Sequence, residues 1–135
     1  LTGVDSKELK LLHRFGKKLG LAFQVVDDIL DFTGNDKQLG KPASSDLASG
    51  YLTAPVLYAL EENPSMATFI DREFSKEGDL QKSLQIVRDS NAIKRSRDLA
   101  EEFARDSREA INWLPVSSYK TALLNLPEFV LSRIF

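Results

Sequence analysis

The sequence predicts an all-α fold, and three observations carry that prediction. A helix-period apolar pattern runs from about residue 5 to residue 33. Beyond it, prolines and Gly/Asn/Ser turn clusters cut the chain into pieces of helix length. No stretch alternates apolar and polar residues at the two-residue period of a strand.

The elements follow in order. Asp5 and Glu8 stand three residues apart at the head of "DSKELKLL", the pattern of a capping box, so a helix is predicted over 5–33. The cluster Thr33-Gly34-Asn35-Asp36 ends it. A loop follows over 34–52, rich in Gly, Ser and Pro; within it Asp46 reads as a helix N-cap. Thr53 reads as the next N-cap, with Pro55 in the first turn, where its missing N–H costs nothing. Asn63-Pro64 stops that helix. Further helices are predicted at about 65–75, 79–89 and 91–112, and the break at Leu114-Pro115 precedes a terminal helix kinked or broken at Pro127. Trp113 and the phenylalanines are assigned to the core, and the Arg/Glu-rich stretch 94–109 to a solvated face.

With 135 residues the chain is long enough to bury a core as one domain. A net charge of −2 argues against nucleic acid as a partner, because phosphate-backbone binding relies on clustered Lys and Arg. The absence of cysteine removes disulfides, thiolate metal sites and cysteine nucleophiles. No apolar run approaches the length of a membrane span. The chain opens on Leu rather than on a signal peptide, so an upstream segment is expected, along with any transit peptide.

One stretch of the first helix stands out. In "GLAFQVVDDILDF", residues 20–32, Asp27, Asp28 and Asp31 are set among Phe23, Val25, Val26, Ile29, Leu30 and Phe32. On a wheel of about 100° per residue with Asp27 at zero, Asp31 falls near 40°, Gln24 near 60° and Asp28 near 100°. The polar groups therefore share one arc, which continues toward the N-terminus through Gly20, Lys17, Gly16 and His13. This is a buried helix with one wet seam, and the two glycines read first as positions of close packing.

Three carboxylates along one turn repel each other and lose hydration in a cleft; a divalent cation supplies the compensating charge. An all-oxygen donor set without His or Cys suits a hard ion, Mg²⁺ above all, which takes one or two carboxylates, keeps several waters and completes its shell with phosphate oxygens. Gln24 offers a side-chain amide to the same anion, and Lys41, in the flanking loop, a mobile cation. The chemistry suggested is a diphosphate held by metal in a helical cavity.

The string "GLAFQVVDDILDFTG…LGKPASSDLASGYLTAPVLYALEENP", with "ALLNLPEFVLSR" near the end, resembles the second aspartate-rich region and C-terminus of the trans-isoprenyl diphosphate synthases. Its wording is closest to the long-chain polyprenyl group, such as solanesyl diphosphate synthases, and to the plant geranyl diphosphate synthases that look like them. The resemblance implies an antiparallel helix bundle of the isoprenoid synthase type, here its C-terminal portion. It also implies a reaction: Mg²⁺-assisted ionisation of an allylic diphosphate, whose carbocation alkylates isopentenyl diphosphate. On this resemblance Asp27, Asp28 and Asp31 are metal ligands, Asp27 the most direct. Gln24 and Lys41 contact the allylic diphosphate, and Asp27, Asp28 and Lys41 serve the chemistry. A homodimer and a plastid or mitochondrial location, with the cytoplasm as the third choice, follow from the family's habits.

The same family carries a first aspartate-rich motif on an earlier helix, whereas Asp27-Asp28 is the sole Asp-Asp pair of this sequence. The expected partner is therefore the N-terminal remainder of the synthase, without which the chain is expected to be inactive. The alternatives are a non-catalytic regulatory subunit of such an enzyme and a related helical terpene synthase. Three retained acids argue against the first, and the Gly-Lys-Pro and Thr-Ala-Pro segments against the second.

Overall fold

The computed structural model describes residues 3–34 and 44–135, and every described element is helical. We number the helices α1 (Ser6–Thr33), α2 (Ser45–Ala48), α3 (Ala54–Glu62), α4 (Ala67–Asp71), α5 (Asp79–Asp89), α6 (Ala92–Ala110) and α7 (Ser118–Leu131), with a 3₁₀ turn at Pro64–Met66. The all-α expectation holds, and no described helix is long and apolar enough to cross a membrane. Chain contacts divide the molecule into two compact units, residues 1–26 with 99–135, and residues 27–98.

The first unit comprises most of α1, the second half of α6 and all of α7. The capping box at its start is formed: the Asp5 N–H donates to Glu8 Oε2 at 2.9 Å and the Glu8 N–H to Asp5 Oδ1 at 2.8 Å. Its buried positions are Ala22, Val25 and Val26 on α1, Ala100, Ala104, Ser107 and Ala110 on α6 with Ile111 beyond it, and Pro127 and Val130 on α7. The recurrence of small residues at 100, 104 and 107 is the helical period of a buried stripe. Ser107 tolerates burial because its hydroxyl donates to the Ala104 carbonyl at 2.7 Å. Around this core Lys18 reaches Asp106 at 3.1 Å while lying 4.9 Å from the Phe103 ring centroid. After α6, Lys120 Nζ donates to the carbonyls of Asn112 and Leu114, at 2.8 and 2.9 Å, satisfying acceptors that the end of a helix leaves open.

Two sequence expectations are corrected in this unit. Pro127 does not break the terminal helix but lies buried inside α7. Phe23 and Phe129 are not core residues, being 46% and 69% exposed; Phe23 is covered by the Arg133 guanidinium, 4.9 Å from its centroid.

The second unit packs around Phe32, Leu47, Val56, Ala59, Met66, Val87 and Ala92, all buried. Pro55 sits in the first turn of α3 as the sequence predicts, and the 34–52 loop contains the short helix α2, whose Leu47 plugs this core. Arg95, near the start of α6, pairs with Glu61 at 2.8 Å and Glu62 at 3.4 Å at the end of α3, its guanidinium 4.1 Å from the Tyr58 ring centroid. The Asn91 N–H donates to Glu62 at 3.0 Å, and this bond, aided by Arg95, holds the Glu62 carboxyl below the usual carboxylate range.

Candidate functional site

The acidic face at the end of α1 belongs to the second unit, and its three aspartates are graded in burial. Asp27 is half-buried, Asp28 is 7% exposed and Asp31 is fully buried. Their setting explains how the end of α1, the buried part of a helix otherwise largely exposed, tolerates them. Burying a carboxylate is costly unless hydrogen bonds replace its water, and here the replacements come from helix N-termini, whose N–H groups lack partners within the helix. Asp28 Oδ2 accepts from the Ala54 N–H, the first residue of α3, at 3.5 Å. Asp31 Oδ2 accepts from the Asp46 N–H at 3.2 Å, and its Oδ1 from the Ser45 hydroxyl at 3.4 Å, at the start of α2. The Ser44 N–H donates to the Asp31 carbonyl at 2.7 Å.

The predicted local caps are thus replaced by long-range ones. Thr53 occupies the N-cap position of α3 without making a side-chain cap bond. Asp46 lies inside α2 rather than ahead of it, and the cap position is taken by Ser44, in the left-handed conformation at φ 62°. The Thr53 and Ser44 hydroxyls are both buried without a hydrogen-bond partner among the described residues. Both adjoin the groups that bind the acids. Sequence reasoning read Thr53 only as a cap and gave Ser44 no role, because each is joined to this face by tertiary structure alone.

Of the other residues on the predicted arc, His13, Gly16, Lys17, Gly20 and Gln24 belong to the first unit and are exposed. A Cβ built on Gly16 or Gly20 would meet nothing within 4 Å, so neither glycine serves a close helix contact among the described residues. Lys41, the predicted diphosphate cation, lies outside the described residues.

No group of three or more His, Asp or Glu side chains forms a cage for a metal ion among the described residues. Mg²⁺ does not need one. It uses one or two protein carboxylates and fills its octahedron with water and phosphate oxygens. A half-buried Asp27 beside Asp28 fits that requirement in donor chemistry and in access to water.

The family model described as polyprenyl synthetase matches residues 1–87. Solanesyl diphosphate synthase 2, chloroplastic, of Arabidopsis thaliana is 47% identical over 131 residues, which are 97% of this chain and 31% of that protein. The apo form of an Arabidopsis medium/long-chain length prenyl pyrophosphate synthase superposes with a TM-score of 0.86 at 37% identity, over 98% of this chain and 46% of that one. A polyprenyl synthase from Caulobacter crescentus CB15, complexed with calcium and isoprenyl diphosphate, gives a TM-score of 0.82 at 34% identity, over 96% of this chain and 41% of that one. The chain therefore spans between about a third and a half of the proteins it matches.

Proposed function

Because the chain belongs to the polyprenyl synthetase family, we propose that it supplies the second aspartate-rich wall of a Mg²⁺-diphosphate site in a trans-prenyltransferase. The reaction is the condensation of an allylic diphosphate with isopentenyl diphosphate. What supports this reading is that α1 carries Asp27 and Asp28 on one face while Val25, Val26 and Ile29 beside them are core. The calcium and isoprenyl diphosphate named for the Caulobacter structure are in keeping with a hard ion and this ligand class.

Asp27, Asp28 and Asp31 would hold the ion, Asp27 most directly, and Asp31 is oriented by the Ser45 hydroxyl and the Asp46 N–H. When bound, Mg²⁺ neutralises charge that develops on the departing diphosphate. The chain's own groups orient that event. The Asp28 carboxylate is steadied by the Ala54 N–H, Gln24 donates an amide to the diphosphate, and Lys41 contributes a cation. As the allylic C–O bond breaks, its electron pair leaves with the diphosphate. The π electrons of isopentenyl diphosphate then form the new C–C bond, and loss of a proton restores the double bond.

The sole Asp-Asp pair lies on one helix, so a second wall must come from outside the chain, and the chain alone is inactive. Product length, whether polyprenyl or geranyl, is set by that other wall. The name of the Arabidopsis relative favours a plastid, with the mitochondrion as the alternative.

The test is Asp27→Asn in a full-length synthase carrying this chain, assayed for transfer to labelled isopentenyl diphosphate across a Mg²⁺ titration. Asn keeps the shape and the fold, which circular dichroism checks. Turnover is expected to fall by about 100- to 1,000-fold, the scale of losing one preorganised electrostatic stabiliser. Unchanged turnover and unchanged Mg²⁺ dependence would mean that the carboxylate is structural.

A further inference from the structure

Away from the acidic face, the second unit holds a cleft that the proposed prenyl transfer does not use. Its volume is about 560 Å³, and it lies between the segment after α2 and the turn after α4. Ser49, Gly50 and Leu52 line one side, and Ile70, Glu73 and Phe74 the other. Clefts of this size take small molecules. We infer that this one is a binding site for a small organic ammonium ion with an apolar body, its cationic head on Glu73 and its hydrocarbon against Leu52, Ile70 and Phe74.

Three observations carry it, and the first is backbone strain. Both walls are helix ends closed by the same pair of bonds. After α2, the Gly50 N–H donates to the Leu47 carbonyl and the Tyr51 N–H to the Asp46 carbonyl, each at 2.9 Å. After α4, the Glu73 N–H donates to the Ile70 carbonyl and the Phe74 N–H to the Phe69 carbonyl, again at 2.9 Å. Such a closure puts one residue in the left-handed region, which glycine adopts at no steric cost. Gly50 does so at φ 84°, but the matching residue after α4 is Glu73 at φ 54°, and Phe74 follows at φ 55°. Packing accounts for Phe74, which lies against the core of the second unit. It does not account for Glu73, which is exposed and whose carboxylate makes no hydrogen bond or ion pair among the described residues. Residues held in sparsely populated conformations cluster at ligand sites.

The second observation is charge. Glu73 is the one charged side chain among the lining residues. The N–H groups of residues 50, 51, 73 and 74 are already spent on closing the two helices. The cleft therefore offers a carboxylate and no cation, which disfavours an anion and suits an ammonium ion in a charge-assisted hydrogen bond. The third is the apolar surface beside that carboxylate. Leu52 is 45% exposed, and Ile70 and Phe74 are only partly buried, so a hydrocarbon body that covers them removes apolar area from water.

The experiment titrates a full-length synthase carrying this chain with hexylammonium chloride and follows the methyl resonances of Ile70. Hexanol and hexanoate serve as neutral and anionic probes with a similar body. Hexylammonium is expected to shift the Ile70 methyls saturably. Hexanol should bind at least about tenfold more weakly, the scale of one hydrogen bond to a charged group, and hexanoate should not bind. Glu73→Gln keeps the side chain's size and should weaken hexylammonium by at least about tenfold while leaving hexanol unchanged. Glu73→Gly should lose the same affinity yet melt no lower than the unaltered protein, because glycine takes this backbone conformation without strain. Ile70 methyls that do not respond to hexylammonium would overturn the site, as would equal affinity for hexanol or an unweakened Glu73→Gln. A lower Tm for Glu73→Gly would overturn it too, by making Glu73 a residue held for stability. Neither the probes nor the variants alter Asp27 or Asp28, so these outcomes are independent of the metal reading.

Discussion

Arg72 grips the buried carboxylate of Asp79 with two prongs, Nε to Oδ2 at 2.7 Å and Nη2 to Oδ1 at 2.5 Å. Asp79 opens α5 and also accepts from the Lys76 N–H at 3.1 Å, so one acid closes the turn between α4 and α5. The guanidinium lies 5.3 Å from the Phe69 ring centroid, which fixes the fork from its other side. A bidentate pair of this kind is directional in a way that a single surface contact is not.

The pair predicts an acid-side stability loss. The hydrogen bond from Arg72 is the main cause holding the Asp79 carboxyl below its ordinary value, with the Lys76 N–H adding to it. A carboxyl depressed in the folded state contributes its stability above its unfolded value of about 4 and loses it as pH falls through the folded value. Thermal melts from pH 7 downward should therefore show a falling Tm below about pH 4. Asp79→Asn should start with a lower Tm at pH 7 and lose less on acidification. Parallel pH profiles for the two proteins would show that Asp79 does not carry this dependence.

Leu47 predicts how the second unit depends on α2. The side chain is fully buried in a core with Val56, Ala59 and Met66, although its helix is only four residues long. Leu47→Ala should cost about 2–5 kcal/mol, the range for emptying a buried leucine site. Urea unfolding would measure it, and a cost under about 1 kcal/mol would mean that the site collapses or is poorly packed.

Much of this architecture is legible in the sequence because it is local. The Asp5–Glu8 capping box, Pro55 in the first turn of α3 and the break at Asn63-Pro64 are decided by near neighbours, and each stands where it is predicted. Of the kink or break predicted at Pro127, the break does not form, because tertiary burial overrides the local rule. The acids show the same division. Their common arc on α1 follows from spacing, while their partners, Ala54, Ser45 and Asp46, are 26, 14 and 15 residues away and leave no periodic trace. Spacing therefore predicts one ligand set, where the fold gives Asp28 and Asp31 hydrogen bonds to different helices.

The last prediction concerns the 135-residue chain in isolation. On α7, Tyr119, Leu126 and Phe129 are exposed at 81%, 41% and 69%, and Val116, just ahead of the helix, at 96%. At about 100° per residue the three α7 positions fall within an arc of about 80°, so they form one apolar face rather than scattered contacts. Contiguous apolar patches of this kind mark surfaces that associate. The purified chain should therefore self-associate in size-exclusion chromatography, in a concentration-dependent way, and should transfer no prenyl group. Tyr119→Lys combined with Phe129→Glu should shift it toward the monomer while leaving its helical circular dichroism intact, since neither side chain belongs to the core. Association that persists undiminished in the double variant would place the sticky surface elsewhere, with exposed Leu9 and Leu21 on α1 as the next face to change. Prenyl transfer by the isolated chain would show that a second wall is not required.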